Sequence, residues 1–260
     1  MLVIIPCCNE SGRIGNVVSS VREIMPRAEV VVIDDASSDN SGEEALDAGA
    51  TVLRHPSNLG YGASLETGYM YAVNNNCEII LQMDADGQHP AYELPRLLEP
   101  VQSGKADIVI GSRYRNNSGE PCVSPVRRFA HALISRLLFF LTGLRLSDPT
   151  SGFQALNRQS LCFFSSGVFP CDYPDSDVIL MAHFAGLRIV ETPVRMLPRA
   201  QGKSMHSGLS PFYYTLKMVL AMFIVLLNFN MWRRWRKSHS PAPGKSAQSR
   251  LEPQSDNITA

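Results

Sequence analysis

The sequence lacks several features that define common functional classes. Its 24 basic residues balance 24 acidic ones, so there is no net charge to attract a polyanion. No segment combines aromatic and basic residues as nucleic-acid-binding proteins do. The six cysteines form no Cys-x-x-Cys pair, and zinc spacing is absent. No Gly-x-x-x-x-Gly-Lys or Gly-x-Gly-x-x-Gly motif follows the first apolar run, which disfavours nucleoside triphosphatase and dinucleotide-binding folds. We therefore expect no nucleic acid among the partners.

No targeting signal is visible at the start of the chain. Met1 leads directly into the apolar run Leu2–Ile5, without a charged leader or a cleavage site. We therefore expect a cytoplasmic protein whose cysteines are reduced.

Apolar runs alternate with helical patterns along the chain. Strands are predicted at Leu2–Ile5, Val30–Ile33, Thr51–Leu53, Glu78–Met83, Asp107–Ile110 and Leu187–Glu191. Helices are predicted at Arg13–Ile24, Glu43–Ala48, Ala63–Asn74, Tyr92–Gln102, Arg127–Leu141 and Asp175–Ala185. This rhythm predicts an α/β fold with a mostly parallel sheet and helices on both faces. In such sheets ligands bind beyond the carboxyl ends of the strands.

Two carboxylates, Asp84 and Asp86, follow the predicted fourth strand one residue apart. Side chains at i and i+2 of an extended segment point the same way. Mg²⁺ is usually held by one or two carboxylates together with substrate phosphates. A turn that caps the helix after Pro90 would also explain an acidic pair. Further polar clusters at strand ends favour a metal–diphosphate site instead: Pro6–Glu10, Asp34–Asp39 and Gly111–Tyr114.

Other polar residues near strand ends are candidates for binding the rest of a nucleotide. Glu10 and Asp35 could accept hydrogen bonds from a nucleobase N–H or a ribose hydroxyl. Arg113 could hold a diphosphate, since a guanidinium matches phosphate geometry. The loop cations Arg199 and Lys203 could do the same.

Asp148 is the best candidate for a further catalytic carboxylate, acting as a base or orienting an acceptor. Capping of the turn before Pro149 would explain Asp148 equally well. His89 is expected to be a surface residue of a turn.

Together these motifs resemble family 2 glycosyltransferases of the GT-A fold, in the branch that glycosylates dolichyl and polyprenyl phosphates. The resemblance covers about residues 2–205. The matching stretches are Val3–Glu10, Val32–Asp39, Asn58–Gly62, Asp84–Pro90, Gly111–Tyr114, Ser147–Phe153 and Glu191–Val194.

The resemblance implies a role for each matching residue. The nucleoside contacts would be Pro6, Cys8, Glu10, Ile33 and Asp35. The diphosphate and a Mg²⁺ or Mn²⁺ ion would meet Asp84, Ala85 and Asp86, with Asp86 and Gln88 as direct ligands. Arg113, Arg199 and Lys203 would contact the donor, and Asp148 would lie near the reacting phosphate of the acceptor. Asp86 and Asp148 are thus the predicted catalytic residues.

The implied activity is inverting, metal-dependent transfer of a sugar from a nucleoside-diphosphate sugar to polyprenyl phosphate, in cell-surface glycan synthesis. The same donor with a saccharide acceptor is one alternative. A nucleotidyltransferase of related fold is another, but its glycine-rich basic segment is missing from Cys7–Glu10. The chain departs from the family pattern at Cys8, where tyrosine is usual. It also departs at Lys203, which lies two positions before the usual lysine.

The C-terminal region predicts contact with a membrane surface. The uncharged stretch Met218–Trp232 is shorter than the ~20 residues of a spanning helix, and basic residues follow it at Arg233–Lys237. We expect residues 212–237 to form an interfacial helix on the inner face of the cell membrane, with aromatic residues at headgroup level: Tyr213, Tyr214, Trp232 and Trp235. A buried core or dimer helix is the alternative.

Three regions follow from these patterns. Residues 1–208 form the predicted catalytic domain, 209–237 the membrane-associated helix, and 238–260 a disordered polar tail. The sequence predicts no oligomeric state.

Overall fold

The computed structural model describes residues 1–115, 125–170, 174–197 and 211–239. Within these residues seven strands form one sheet in the order β3-β2-β1-β4-β6-β5-β7. The strands are β1 (Leu2–Cys7), β2 (Glu29–Asp34), β3 (Thr51–Arg54), β4 (Ile79–Gln82), β5 (Ile108–Ser112), β6 (Gln154–Asn157) and β7 (Ile189–Pro193). Neighbouring strands run parallel except at β6, which is antiparallel to both β4 and β5. The predicted mostly parallel sheet is confirmed.

The helices lie on both faces of this sheet. They are α1 (Ile14–Ile24), α2 (Ser41–Asp47), α3 (Tyr61–Asn74), α4 (Leu94–Gln102), α5 (Pro125–Thr142), α6 (Arg158–Phe164), α7 (Ser176–Phe184), α8 (Pro211–Leu227) and α9 (Phe229–His239). A 3-10 turn, Ala91–Glu93, precedes α4. Neither β6 nor α6 was predicted from the sequence.

The strand β1 shows how the two faces are filled. Its side chains alternate between two core clusters, with Leu2 and Ile4 in one and Val3 and Ile5 in the other. Alternation is the geometry of an extended chain, and burial on both faces explains why the strand is apolar throughout. Helix α3 covers the first face, and α1 and α4 cover the second.

Helices α8 and α9 pack against the α/β domain. Three α8 side chains are buried in the core cluster that includes α5 and α7: Met218, Met222 and Val225. Among the described helices none is long and apolar enough by itself to cross a bilayer. Leu216–Leu227 and Phe229–Ser238 meet that criterion only as a pair, with a bend of 58° between them.

The prediction that Trp232 lies at headgroup level is wrong. Its side chain is buried in the core, and its indole N–H donates to the Val225 carbonyl at 3.0 Å. The ring also packs edge-on against Phe163. Trp235 is partly buried and packs against the same phenylalanine, whereas the side chains of Tyr213 and Tyr214 lie outside the described part of the chain. The predicted tail also lies outside it from residue 240 onward.

Candidate active site

The carboxyl ends of β1, β2, β4 and β5 meet at one edge of the sheet. The register pairs Cys7 of β1 with Asp34 of β2, and Ile4 of β1 with Gln82 at the end of β4. Because β6 runs the opposite way, the loop before it, residues 148–153, reaches the same edge. The polar clusters predicted at the strand ends therefore converge.

Asp35, a predicted nucleoside contact, lies just past β2 and is 4% exposed. His55 Nδ1 lies 2.8 Å from its carboxylate, and the N–H groups of Leu59 and Gly60 donate to it at 2.8 and 2.9 Å. A carboxylate offers about four lone-pair positions. These three neighbours leave room for about one further donor, such as a nucleobase N–H.

The other predicted nucleoside contacts line the same edge. Pro6 and Ile33 are buried within β1 and β2, so they offer apolar surface only. The Cys8 thiol is half-buried and accepts a hydrogen bond from the Asn58 amide at 3.3 Å. Glu10 pairs with Arg13 at 2.6 Å, so its charge is already partnered.

Asp84 is held by contacts from distant parts of the chain. The Tyr61 hydroxyl donates to its Oδ1 at 2.8 Å, and the Asp84 backbone N–H donates to His89 Nδ1 at 3.0 Å. Burial and the charge of Asp84 raise the pKa of Tyr61 well above its ordinary value, so the hydroxyl keeps its proton. A Cβ at Gly152 would lie 2.6 Å from that hydroxyl, which explains the glycine.

His89 is not the surface residue that was expected. It is 6% exposed, and its ring stacks on Phe153 at 4.8 Å. Its Nδ1 accepts the Asp84 N–H at 3.0 Å, and this contact fixes the turn after β4.

Asp86 and Gln88 lie side by side on that turn, and both are partly exposed. The Gln88 N–H donates to Asp86 Oδ1 at 2.9 Å, in a turn that needs Gly87 with its φ of 79°. The Gln88 carbonyl accepts the Leu197 N–H at 2.8 Å, so the segment that leads to Arg199 starts beside this turn. Arg199 and Lys203 themselves lie outside the described residues.

The donor set at this turn suits a hard divalent cation. Among the described residues no group of three or more His, Cys, Asp or Glu side chains could hold a metal alone. Asp84, Asp86 and Gln88 offer only oxygen donors, and Ala85 between the two acids is buried. Mg²⁺ and Mn²⁺ complete such sites with water and substrate phosphates. The residues therefore fit a cation that binds together with a diphosphate.

Arg113, just past β5, is held by Asp148. The Asp148 carboxylate is fully buried and accepts from Arg113 Nε at 2.8 Å, Nη2 at 3.0 Å and the backbone N–H at 3.1 Å. Burial alone would lower the pKa of Arg113, but the hydrogen bonds and charge of Asp148 outweigh it and raise that pKa. Asp148 therefore holds a permanent cation at the sheet edge.

Gly60, Tyr61 and Gly152 join these groups into one site. Consecutive residues Gly60 and Tyr61 donate to Asp35 and Asp84 respectively. Gly152, in the loop that begins at Asp148, faces both Tyr61 and Asp84. A cavity of about 110 Å³ extends from Asp84 and Gly152 into the apolar interior between α3, α7 and the sheet.

Sequence reasoning missed three residues that shape this site: Tyr61, His89 and Glu191. All three were within motifs that supported the family resemblance, but Tyr61 and Glu191 had been given no role and His89 had been placed on the surface. Glu191 accepts the Asp148 N–H at 2.7 Å, a contact across 43 positions of sequence. The motifs were the only sequence signal for these residues. Their hydrogen-bond partners could not be predicted, because the fold determines them.

Comparison with known proteins identifies the family of the chain. The model of the glycosyl transferase family 2 matches residues 2–163. The chain is 32% identical over 219 residues to the undecaprenyl-phosphate mannosyltransferase of Micrococcus luteus, covering 80% of this chain and 88% of the relative. It is also 32% identical over 216 residues to the polyprenol monophosphomannose synthase of Mycolicibacterium smegmatis, covering 80% and 81%.

Solved structures support the fold. Glucosyl-3-phosphoglycerate synthase from Mycobacterium tuberculosis, in complex with phosphoglyceric acid, superposes with a TM-score of 0.67 at 19% identity, covering 86% of this chain and 79% of that one. The same enzyme with Mn²⁺, UDP-glucose and phosphoglyceric acid gives a TM-score of 0.66 at 19% identity, covering 86% and 78%. The mixed sheet is thus a GT-A fold, and the chain belongs to the family 2 glycosyltransferases.

Proposed function

We propose that the protein is an inverting, metal-dependent glycosyltransferase that moves a sugar from a nucleoside-diphosphate sugar to polyprenyl phosphate. The observation that carries this proposal is the convergence of Asp84, Asp86 and Gln88 with the Arg113–Asp148 pair at one sheet edge. Oxygen donors for a cation and a fixed guanidinium together suit a diphosphate leaving group. Family membership disfavours the nucleotidyltransferase alternative.

The choice of acceptor is supported by the relatives. Both relatives described above carry a polyprenyl or undecaprenyl acceptor in their names. A lipid phosphate is already anionic, so its oxygen can attack the anomeric carbon as the bond to the diphosphate breaks, and no strong base is needed. Asp148 agrees with a mechanism that uses no strong base, because both of its oxygens accept hydrogen bonds from Arg113. Its proposed catalytic part is to orient Arg113 toward a phosphate.

The residues around the diphosphate have distinct proposed tasks. Asp86 and Gln88, with Asp84 beside them, would hold Mg²⁺ or Mn²⁺, which would neutralise charge on the departing diphosphate. Asp35 would accept an N–H from the base, with Pro6, Cys8, Glu10 and Ile33 around it. Arg199 and Lys203 remain proposed phosphate contacts, from the loop that follows Leu197.

We also propose that the enzyme works at the cytoplasmic face of the membrane. The outer face of α8 supports this, because five apolar side chains between 51% and 70% exposed lie on it at helical spacing: Leu216, Leu220, Phe223, Ile224 and Leu227. Exposed basic residues of α9 follow at Arg233, Arg234, Arg236 and Lys237. An apolar face next to basic residues is the pattern that binds anionic lipid surfaces.

A panel of nucleotide sugars tests the proposal. Purified protein is incubated with each donor and Mn²⁺, with and without polyprenyl phosphate, and nucleoside-diphosphate release is measured. We expect one donor to bind and release to require the lipid. Asp86→Ala should lose metal-dependent donor binding, with Asp47→Ala on α2 as the folded control. Donor binding without lipid-dependent release would move the assignment to a saccharide acceptor, and binding of no donor would contradict the proposal.

A further inference from the structure

A buried carboxylate on β7 controls the loop that carries Asp148. Glu191 is 6% exposed. Its Oε1 accepts the backbone N–H of Ser147 at 2.8 Å and that of Asp148 at 2.7 Å, and its Oε2 accepts the Ser147 hydroxyl at 2.8 Å. Each of these partners is neutral. Within the described part of the chain no cation lies at salt-bridge distance from the Glu191 carboxylate. The Arg115 guanidinium donates instead to the Glu191 backbone carbonyl.

Burying a carboxylate that has no cation beside it costs free energy. The presence of Glu191 here, with three hydrogen bonds to one short loop, therefore calls for a functional explanation. The explanation is the next contact in the same network. Glu191 accepts the backbone N–H of Asp148, and the Asp148 carboxylate accepts two hydrogen bonds from the Arg113 guanidinium. The contacts thus run from Glu191 in the middle of β7, through the loop, to the Arg113 guanidinium at the sheet edge.

We propose that Glu191 is a positioning residue that sets the direction of the Arg113 guanidinium through Asp148. The inference rests on the proposed function, in which Arg113 contacts a phosphate. Asp148 engages Nε and Nη2 of Arg113, which leaves the Nη1 edge for a ligand. A carboxylate is required at position 191 because it can serve Ser147 and Asp148 together. A glutamine there would turn an NH₂ toward one of these donors.

A similar aspartate–arginine contact at the opposite end of β5 provides a matched control. There Asp107 accepts the backbone N–H of Arg188 at 2.7 Å and its guanidinium at 3.0 and 2.8 Å. The geometry repeats that of Asp148 and Arg113, but it lies at the amino end of β5, away from the site. Asp107→Asn therefore perturbs a buried aspartate with the same arginine contacts, without touching the site, although the Arg188 side chain is more exposed than that of Arg113.

The test combines kinetics with a spectroscopic signal from Arg113. Glu191→Gln is expected to lower kcat about 10- to 100-fold, as small misplacements of catalytic groups do, while the donor KM changes little. The ¹⁵N resonance of Arg113 Nε–H, assigned by its loss in Arg113→Lys, should shift in Glu191→Gln and not in Asp107→Asn. In an Arg113→Lys background, Glu191→Gln should cause no further loss.

Two results would overturn the inference: an unmoved Arg113 resonance, or losses that multiply in the double variant. If Glu191→Gln does not fold, Ser147→Ala removes one of the Glu191 contacts and should give a smaller shift of the same resonance. The resonance does not depend on turnover. A shift in a protein that transfers no sugar would therefore contradict the proposed function and leave the positioning role standing.

Discussion

At the scale of single residues, the site depends on neighbours that hold its carboxylates rather than on the carboxylates alone. Asp35 is fixed by His55 and two backbone N–H groups, and Asp84 by Tyr61 and His89. Such preorganisation spares the enzyme the cost of orienting the side chain when substrate arrives.

Tyr61→Phe should weaken metal-dependent donor binding by roughly 10-fold. The substitution removes one hydrogen bond to a charged oxygen, worth about 1.4 kcal/mol, and leaves the ring in place. Tyr71→Phe is the matched control, because on the same helix Tyr71 donates to Glu29 at 2.7 Å away from the site. Donor titration calorimetry with Mn²⁺ measures both, and equal affinities for the two variants would contradict the role of Tyr61.

At the scale of elements, α8 has two apolar faces with different partners. Met218, Met222 and Val225 pack into the core, so deleting the helix would expose the domain interior. The opposite face can be changed without that damage, since Leu220 and Phe223 are 56% and 54% exposed.

Leu220→Glu with Phe223→Glu should therefore abolish binding to vesicles that contain anionic lipid, because two charges would enter the acyl boundary. Met70→Glu is the control, as Met70 is 50% exposed on α3. Vesicle flotation of the folded variants measures the effect. Flotation of the double variant at the level of Met70→Glu would rule out this face as the membrane contact.

The elements also show where sequence prediction stops. The strands β1 and β2 were predictable because their β-branched runs are buried on both faces. Strand β6 was not, since Gln154-Ala-Leu-Asn157 is short and has little strand preference, and its pairing depends on β4, more than 70 positions earlier. In the site, Asp84 and Asp86 followed from their spacing. Tyr61, His89 and Glu191 required the folded chain, because their partners are set by tertiary contacts.

At the scale of the whole molecule, a buried aspartate meets an arginine at each end of β5. Asp107 and Arg188 join its start to β7, and Arg113 and Asp148 join its end to the loop before β6. Burial alone would raise the pKa of Asp107, but the hydrogen bonds and charge of Arg188 outweigh it and lower that pKa. The Asp107–Arg188 ion pair therefore stabilises the fold at pH values above 3.8, the ordinary pKa of an aspartate, and this contribution disappears as the pH falls below that value.

Asp107→Asn should accordingly cost roughly 1–3 kcal/mol of unfolding free energy at pH 7 and progressively less below pH 4. The asparagine NH₂ would face donors from Arg188, whereas the wild-type protein loses the same contacts only in acid. Urea unfolding of both proteins from pH 3 to 7 measures the difference. A difference in unfolding free energy between the two proteins that stays constant from pH 3 to 7 would contradict the assigned role of the ion pair.

The position of β6 also bears on how the chain folds as the ribosome makes it. Strands β1 to β4 can pair in the order of their emergence, but β5 borders only β6 and β7, which are made later. Until residues 154–157 leave the exit tunnel, β5 has no strand to pair with. Its apolar side chains must be shielded from water by other parts of the chain during this time. The sheet edge that carries the proposed site needs Arg113 after β5 and Asp148 in the loop before β6, so it is completed late in translation.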